Sequence, residues 1–384
     1  MQSYLNLRLY DTGLPKTTRS TIEKLIQPIF DSVPSFAKLV ETNAKPKKGS
    51  PLLGFCVGGG NENSFLQSAL DNPESPAVIL VHNKQNSFAA GCEISARLNE
   101  EHRRGNRAPS VFCSVEDTKR LKSVINAAAV CNYFNEIPNK IGIIGDPSNW
   151  LIGSGYYAET LPSRFGIQTQ RVSIQEFLEL AKKHDSVYQS LKTIISKYGL
   201  SAFTIRCFDL LQSLQKTSCL EVSKLNDENI VAACEGDIPA TVTMMIMQKM
   251  AGSPVFMANP TGLYDDTATF AHCTIPKRLC TTSQVTTHFE SGIGTAVQGK
   301  VIEGKWTVAR FGVNGQVMTD TVHVTNPKEH SPHQCRTQIV TKVSKGFAEK
   351  LRKGEVLGNH FLFVPGDIKD SIEIFSNSFY KWTK

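Results

Sequence analysis

The sequence contains no long apolar run. No stretch approaches the ~20 consecutive apolar residues that a membrane-spanning helix needs. The N-terminal stretch MQSYLNLRLYDTG also lacks the charged head and the apolar core of a signal peptide. We therefore predict that the protein has no membrane partner and a cytoplasmic location.

Paired cysteine motifs are absent as well. The ten cysteines are scattered, no two of them form a CxxC pair, and most lie within apolar segments such as GFCVGG and IRCFDLL. A disulfide framework or a structural zinc site would require regular spacing. We expect buried, reduced thiols.

Long basic stripes with interleaved aromatic residues, which are typical of nucleic-acid binders, are missing too. The net charge of +7 comes from 42 basic and 35 acidic residues. The visible basic clusters, at residues 45–48 and 102–107, are short. We interpret them as solvated loops and predict no nucleic-acid partner.

The chain also lacks a recognisable nucleotide-binding loop. Gly58-Gly59-Gly60 follows a predicted strand, but no GKS or GKT and no GxGxxG spacing accompanies it. A tight turn after the strand is the better interpretation. Asn86 lies in the turn after the next predicted strand, before a predicted helix, where it can supply donors to a ligand.

The sequence does contain the pattern of an α/β protein. With 384 residues, 40% of them hydrophobic, the chain is long enough for two or three domains. Apolar runs at residues 53–57 and 77–81 each precede a polar loop, and a similar unit begins at KIGIIG. Alternating Thr and Val with Gly-containing turns follow residue 276. We predict two doubly wound parallel-sheet domains, residues 1–138 and 139–254, followed by a β-rich C-terminal domain, residues 255–384. In the last domain we expect a helix at 341–353, a strand at HFLFV and a closing helix.

Acidic and polar side chains gather in one stretch, residues 231–276. Glu235 and Asp237 directly precede Ile238-Pro239 and an apolar run. Proline favours the first turn of a helix, and acids are stabilised there, so both carboxylates are predicted in a loop at a helix N-terminus. The alternative is that the two acids simply cap a buried helix. However, a short strand ending in FMAN follows, so two strand ends can present oxygen ligands to one place, as in α/β active sites.

Two further loops carry candidate ligand-binding residues. The loop DPSNW, with Ser148 and Trp150, follows the strand KIGIIG. Arg206 ends the predicted strand SAFTIRC, where it can form a buried salt bridge or face the site; the sequence does not decide between the two.

Other constellations are weaker. His330, His333 and Cys335 lie within six residues but lack a second ligand pair at zinc spacing, so we predict a polar loop. Cys234 beside Glu235 and Cys273 beside His272 are not expected to form nucleophile pairs, because adjacent strand residues point to opposite faces. We interpret His272 as a structural histidine at a strand end.

Motifs spread over nearly the whole chain resemble the L-fucose/L-arabinose isomerase-like family, specifically its shorter fucose isomerase-related branch. The resemblance is carried by HNKQNSFAAGCEI, IGIIGDPSNWLIGS, TIRCFDLL, AACEGDIPATVTMM, FMANP, AHCTIP, SGIGTAVQG, CRTQI and LGNHFLFVPGD. It implies two flavodoxin-like domains, a C-terminal β-rich domain and a divalent metal, usually Mn²⁺, at their junction. It also implies an oligomer, a trimer or hexamer, in which the Asn86 loop of one subunit faces Glu235 of another.

Carried over residue by residue, the resemblance implies that Glu235 and His360 bind the metal. The family has a second carboxylate where this chain has Asn259. An amide oxygen can bind a hard cation but cannot act as a base at neutral pH. Asp237, or Asp265 and Asp266, are the carboxylates that can compensate. If Glu235 and His360 share one cation, their side chains approach to within roughly 3–4 Å.

These residues suit aldose–ketose isomerisation through an enediol, which needs a base, an acid and a cation beside the developing oxyanion. Glu235 is predicted as metal ligand and base, and Asp237 as a residue that orients a ligand or relays a proton. Ser148, Trp150, Arg206 and Asn86 are the predicted contacts of a pentose, deoxyhexose or related sugar. The alternative is a non-catalytic sugar-binding relative, which the asparagine at position 259 favours.

Overall fold

The computed structural model describes residues 3–13, 18–155 and 160–380. The chain divides into two compact units: residues 1–138, 164–166 and 370–384 form the first, and residues 139–163 and 167–369 form the second. The predicted boundary at residue 254 falls inside the second unit. The division into three domains stays a prediction.

The first unit contains a five-stranded parallel sheet with the strand order β2-β1-β3-β4-β5. The predicted strands at 53–57 and 77–81 correspond to β3 and β4, which are buried along their whole length, as expected for central strands covered on both faces. This strand order occurs in doubly wound sheets. The elements are β1 (Ser3–Tyr10), α1 (Arg19–Asp31), β2 (Ala37–Glu41), β3 (Leu52–Cys56), α2 (Glu62–Leu70), β4 (Ala77–Val81), α3 (Ser87–Arg103), β5 (Ser110–Ser114) and α4 (Thr118–Glu136).

A second parallel sheet opens the second unit, with the strand order β7-β6-β8-β9. Polar loops follow the carboxyl ends of β6, β8 and β9, and they carry most of the predicted site residues. The elements are β6 (Asn139–Ile144), α5 (Thr160–Arg164), β7 (Ile167–Val172), α6 (Ile174–His184), α7 (Val187–Tyr198), β8 (Ala202–Ile205), α8 (Phe208–Leu214), α9 (Cys219–Asp227), β9 (Val231–Cys234) and α10 (Ile238–Ala251).

Helix α10 links this sheet to the rest of the second unit. It is apolar on nearly all sides and almost entirely buried, as a helix without a polar face must be. It packs against β8 and β9 of the sheet and against two later strands, β14 (Gly304–Phe311) and β17 (Phe361–Pro365). The N-terminus of α10 is therefore enclosed between two layers of strands.

The remainder of the second unit is a closed antiparallel barrel with the order β10-β11-β16-β15-β14-β17, accompanied by a separate hairpin, β12-β13. Its interior is filled by apolar side chains that include Phe256, Phe270, Trp306 and Phe363. The additional elements are β10 (Phe256–Tyr264), β11 (Thr267–His272), a 3₁₀ turn (Lys277–Leu279), β12 (Cys280–Thr286), β13 (Ala296–Val301), β15 (Val317–Thr325), β16 (Thr337–Lys342) and α11 (Lys345–Lys353). Helix α12 (Lys369–Ser378) comes last in the chain and, apart from Lys369, belongs to the first unit.

The mixed α/β architecture with a β-rich C-terminal part is confirmed, with local differences. The predicted helix at 341–353 begins only at residue 345, because Thr341 and Lys342 pair with β11 as the end of β16. The flavodoxin-like assignment of the two parallel sheets stays a prediction. No helix in the described ranges is long and apolar enough to cross a membrane.

Candidate metal and active site

Glu235 and Gly236 form a sharp bend directly after β9. Both have left-handed backbones, with φ of 64° and 75°. A Cβ at Gly236 would lie 2.6 Å from the Cα of Pro147 in the loop after β6. The backbone N–H of Ser148 donates to the Glu235 carbonyl at 2.8 Å. The loops after β6 and β9 are therefore in close contact. Glu235 is a non-glycine residue at φ > 0, which is uncommon and is often found at functional sites.

We expect Gly236→Ala to cost more stability than Gly252→Ala at the other end of α10. Both glycines have φ near +70°, at 75° and 64°, but Gly252 has open space where its Cβ would lie. Gly252→Ala therefore costs only the left-handed penalty of about 1–2 kcal/mol. Gly236→Ala also creates a clash with the Pro147 backbone. Such overpacking lowers the free energy of unfolding by about 1–3 kcal/mol more. Urea unfolding of both variants measures the difference; equal midpoints would contradict the close approach of the two loops.

The carboxylate of Glu235 has a fixed partner on each side. Its Oε2 accepts a hydrogen bond from the Trp150 indole Nε1 at 2.6 Å. Its Oε1 lies 3.5 Å from the Nε2 of His360. Burial raises the pKa of Glu235. The contact with His360, the positive charge of that ring and the Trp150 hydrogen bond outweigh burial and lower the pKa of Glu235 to about 2. Glu235 is therefore an anion in a largely buried place.

Asp237 is the N-cap of α10 and is completely enclosed. Its Oδ1 accepts from the Ala240 N–H at 2.9 Å, and Arg310 Nη1 and Nη2 donate to its two oxygens at 3.0 Å each. His360 Nδ1 bonds to Oδ2 at 2.8 Å. Burial opposes the charge of Asp237, but Arg310 and His360 hold its pKa well below the usual range. Both oxygens of Asp237 bond to protein groups, and the bond from His360 fixes the orientation of that ring.

His360 precedes β17 and is fully buried. Its Nδ1 donates to Asp237, which fixes the ring and leaves Nε2 directed toward Glu235. Burial lowers the pKa of His360, but the Asp237 hydrogen bond and the charges of both carboxylates raise it to about 9. The loop before it is shaped around Arg310: Gly358 has φ of 142°, and a Cβ there would lie 2.6 Å from Arg310 Nη2.

His272 joins this group, a role that the sequence analysis missed. Glu235, His272 and His360 each offer a ligand atom, and these atoms all lie within 4.8 Å of one another. Thr274 Oγ1 bonds to His272 Nδ1 at 2.9 Å, which leaves Nε2 available. Burial and the charge of His360 lower the pKa of His272 to about 3, so this ring is neutral, as a metal ligand must be. Strand pairing is the signal that would have found His272. Its neighbour Ala271 lies opposite Asn259 in the β10–β11 ladder, so His272 and Asn259 lie at the same end of the two strands.

Two buried polar atoms in this place lack hydrogen-bond partners among the described residues: Asn259 Oδ1 and His360 Nε2. Buried polar atoms are nearly always paired, and His360 Nε2 has only the Glu235 carboxylate nearby, at 3.5 Å, so the unpaired Asn259 Oδ1 beside this contact indicates a place for a group from outside the chain. Carboxylate, amide oxygen and imidazole nitrogen suit a divalent cation such as Mn²⁺. The residues present therefore fit a metal. Of these residues, Glu235 and Asn259 line a cavity of about 260 Å³, together with Trp150, Phe208, Glu290 and Asn359.

The other predicted site residues have varied surroundings. Trp150 is half exposed and contacts the Phe208 ring edge to face at 4.9 Å, so it forms an aromatic wall of the cavity. Ser148 is buried, and its hydroxyl has no partner among the described residues. Arg206 donates from Nε to Asp209 at 3.1 Å, with both side chains about a quarter exposed; its predicted contact with a sugar stays a prediction. Asn86 belongs to the first unit, precedes α3 with φ of 58° and packs beside Gly59; its predicted role stays a prediction.

Asp265 and Asp266 do not lie at this site, contrary to the expectation that they compensate for Asn259. They form the turn between β10 and β11. Asn259 is near the other end of β10, six residues away, or roughly 20 Å along an extended strand. Asp266 instead pairs with Lys342 at 3.4 Å. His330 and His333 are exposed loop residues, as predicted, and take no part in the histidine–glutamate cluster.

Comparison with known proteins points to sugar isomerases at low identity. No protein-family model matches the chain. It is 27% identical over 207 residues, half of its length, to a sulfoquinovose isomerase of Clostridium sp. (strain MSTE9). It is 22% identical over 315 residues, 72% of its length, to one of Alkalicoccus urumqiensis, and 26% identical over 164 residues, 35% of its length, to one of Priestia aryabhattai. The matched regions span 46%, 64% and 36% of those relatives, less than two thirds of each.

Proposed function

We propose that the protein is a divalent-metal-dependent aldose–ketose isomerase. The observation that carries the proposal is the cluster of ligand atoms from Glu235, His272 and His360, all within 4.8 Å of one another. Asn259, whose buried Oδ1 has no hydrogen-bond partner among the described residues, lines the same cavity as Glu235. Glu235, Asn259, His272 and His360 would hold the metal, with Mn²⁺ as the first choice. When bound, such a cation polarises adjacent sugar oxygens and stabilises negative charge on them. The sulfoquinovose isomerases that the chain resembles support the same reaction class.

The other residues of the site would orient the metal ligands and contact the sugar. Asp237, held by Arg310, keeps His360 in the orientation that presents Nε2. Trp150 fixes the Glu235 carboxylate and, with Phe208, offers an aromatic surface to the C–H face of a sugar ring or chain. Asp237 and His360 are fully buried, so water is excluded from these two side chains. The cavity volume of about 260 Å³ suits a single monosaccharide rather than an oligosaccharide.

The finer features belong to the same proposal. We place the chain near the fucose isomerase-related branch of the L-fucose/L-arabinose isomerase-like proteins, with flavodoxin-like parallel sheets. We further propose a trimer or hexamer and a cytoplasmic location. The substrate is a pentose, a deoxyhexose or a related sugar, and sulfoquinovose joins this group because the relatives carry its name.

The test is a turnover screen with purified protein. The protein is stripped with EDTA, dialysed and incubated with pentoses, 6-deoxyhexoses and sulfoquinovose, with and without Mn²⁺, and ketose formation is followed by NMR. We expect turnover of at least one sugar that depends on Mn²⁺. The second candidate, a non-catalytic sugar-binding relative, is favoured by the neutral Asn259. Sugar binding by calorimetry with neither metal binding nor turnover would select it.

Metal binding should depend on pH through His360. Its pKa of about 9 lies above the ordinary value of 6.5, so the charged ring stabilises the metal-free fold below about pH 6.5, and this stabilisation is lost as the pH rises through 9. Because a ligand histidine must be neutral, we expect release of about one proton per Mn²⁺ at pH 7 and an affinity that rises up to about tenfold per pH unit below pH 9. Calorimetry in two buffers of different ionisation enthalpy measures the proton count. An affinity that is constant from pH 6 to 8 would contradict the role of His360.

A further inference from the structure

The cavity beside the metal ligands contains a second carboxylate. Of the six lining residues, only Glu235 and Glu290 are ionisable. Isomerisation through an enediol moves one proton between two adjacent carbons, so it needs a base with a free oxygen facing the substrate. Under the proposed function, on which this inference rests, one residue at the cavity must carry that proton.

Neither Glu235 nor Asp237 has a free oxygen for this task. Glu235 Oε2 is occupied by Trp150, and Oε1 faces His360 among the metal-ligand atoms. Asp237 is fully buried, and protein groups hold both of its oxygens. Asn259 is an amide and cannot take a proton at neutral pH.

Glu290 lies in the loop that joins β12 to β13, and this loop is well fixed. His288 and Ile293 are joined by a backbone hydrogen bond of 3.2 Å, and His288 Nδ1 bonds to Ser291 Oγ at 3.0 Å. Arg336 Nε donates to the Thr287 carbonyl at 2.8 Å. The ring of His288 contacts Phe208, a wall of the same cavity, at 5.8 Å. Glu290 is therefore held at the cavity by the turn that contains it.

The Glu290 carboxylate has no hydrogen-bond or ion-pair partner in the part of the chain that the structure describes, and its side chain is accessible from the cavity. Burial and the negative charge of Glu235 raise its pKa. The free oxygens of Glu290 at the cavity are what a proton carrier needs.

We propose that Glu290 is the residue that carries the proton between the two carbons of the sugar. Its carboxylate takes the proton from C2; the electron pair of that C–H bond forms the C1=C2 double bond, and the C1=O1 π pair moves onto O1. The proton of the O2 hydroxyl passes to O1, C2=O2 forms, and C1 takes the proton back from the Glu290 carboxyl. The sugar loses and gains no atoms, and Glu290 ends as it began.

Glu290→Gln tests the assignment, with Glu329→Gln as the matched control, because Glu329 is an exposed loop glutamate outside the cavity. We expect Glu290→Gln to lower kcat by about 10²- to 10⁴-fold with little change in KM. Its Mn²⁺ affinity by calorimetry should equal that of the wild type, since Glu290 is not a proposed ligand. Exchange of the sugar C2 proton with D₂O, followed by NMR, should be lost together with turnover. Glu290→Asp should recover part of the rate, and Glu329→Gln should behave as wild type.

Different results would overturn the Glu290 assignment and the proposed function. If the wild type isomerises a sugar with Mn²⁺ and Glu290→Gln keeps more than half of kcat, Glu290 is not the proton carrier and the proposed function stands. A Glu290→Gln variant that loses metal affinity in parallel with kcat would likewise overturn the assignment. If the wild type turns over no sugar of the panel, the proposed function fails and the assignment falls with it.

Discussion

Glu235→Gln is expected to remove the proposed metal-dependent isomerase turnover while leaving the chain folded. The substitution takes away the only carboxylate in the Glu235–His272–His360 group and therefore the anionic charge that attracts a divalent cation. Loss of a metal and of its charge stabilisation costs on the order of 10²- to 10⁴-fold or more in kcat. The amide keeps the size of the side chain and can still accept from Trp150, so packing changes little.

Calorimetry with Mn²⁺, a turnover assay and circular dichroism measure the three consequences of Glu235→Gln. The matched control is Glu221→Gln: Glu221 is also partly buried, and burial raises its pKa, but it lies on α9 outside the metal-ligand group. Glu221→Gln should keep both metal affinity and turnover. Unchanged Mn²⁺ affinity in Glu235→Gln would refute the proposed ligand set.

Arg310→Met is expected to be the most destabilising single change near the site. Arg310 and Asp237 form a bidentate ion pair with both side chains fully buried. Removing one partner of such a pair leaves a charge in a poorly solvated interior, which costs about 3–5 kcal/mol. The Arg310 guanidinium also packs against the Gly358 backbone, so the loop that presents His360 would lose its support.

Urea unfolding compares Arg310→Met with Arg206→Met. Arg206 forms an ion pair with Asp209, but both side chains are about a quarter exposed, so its loss should cost only about 0–1 kcal/mol. A double variant, Arg310→Met with Asp237→Asn, should recover part of the lost stability because the unpaired charge is gone. Equal unfolding midpoints for the two single arginine variants would contradict the account of the buried pair.

Much of the fold follows from local sequence. The apolar runs that became β3 and β4 are bounded by turn residues, and Ile238-Pro239 after Asp237 marks the start of α10. These features depend on neighbours in the chain, so the sequence alone predicts them. The end of β16 was misjudged because Thr341 and Lys342 are held by pairing with a distant strand, β11.

The site was predicted less completely, for the same physical reason. The resemblance brought Glu235 and His360 together, and the structure places them 3.5 Å apart. Arg310 was missed because it lies inside the apolar strand β14, where nothing local shows that a carboxylate lies opposite. His272 was missed because strand pairing, rather than spacing in sequence, brings it to Glu235 and His360. Glu290 was missed because loop packing brings it to the cavity.

The enclosure of the α10 N-terminus sets an order of events during biosynthesis. Asp237 obtains its partners from residues made much later: Arg310 lies 73 positions further along the chain and His360 lies 123 positions further. A ribosome adding about 5–20 residues per second needs several seconds or more to cover that distance. Throughout that interval the Asp237 carboxylate stays hydrated, and α10 exposes its apolar surface, which makes the nascent chain a substrate for chaperones. The proposed metal would therefore find its complete set of ligands only after β17 has closed on the helix.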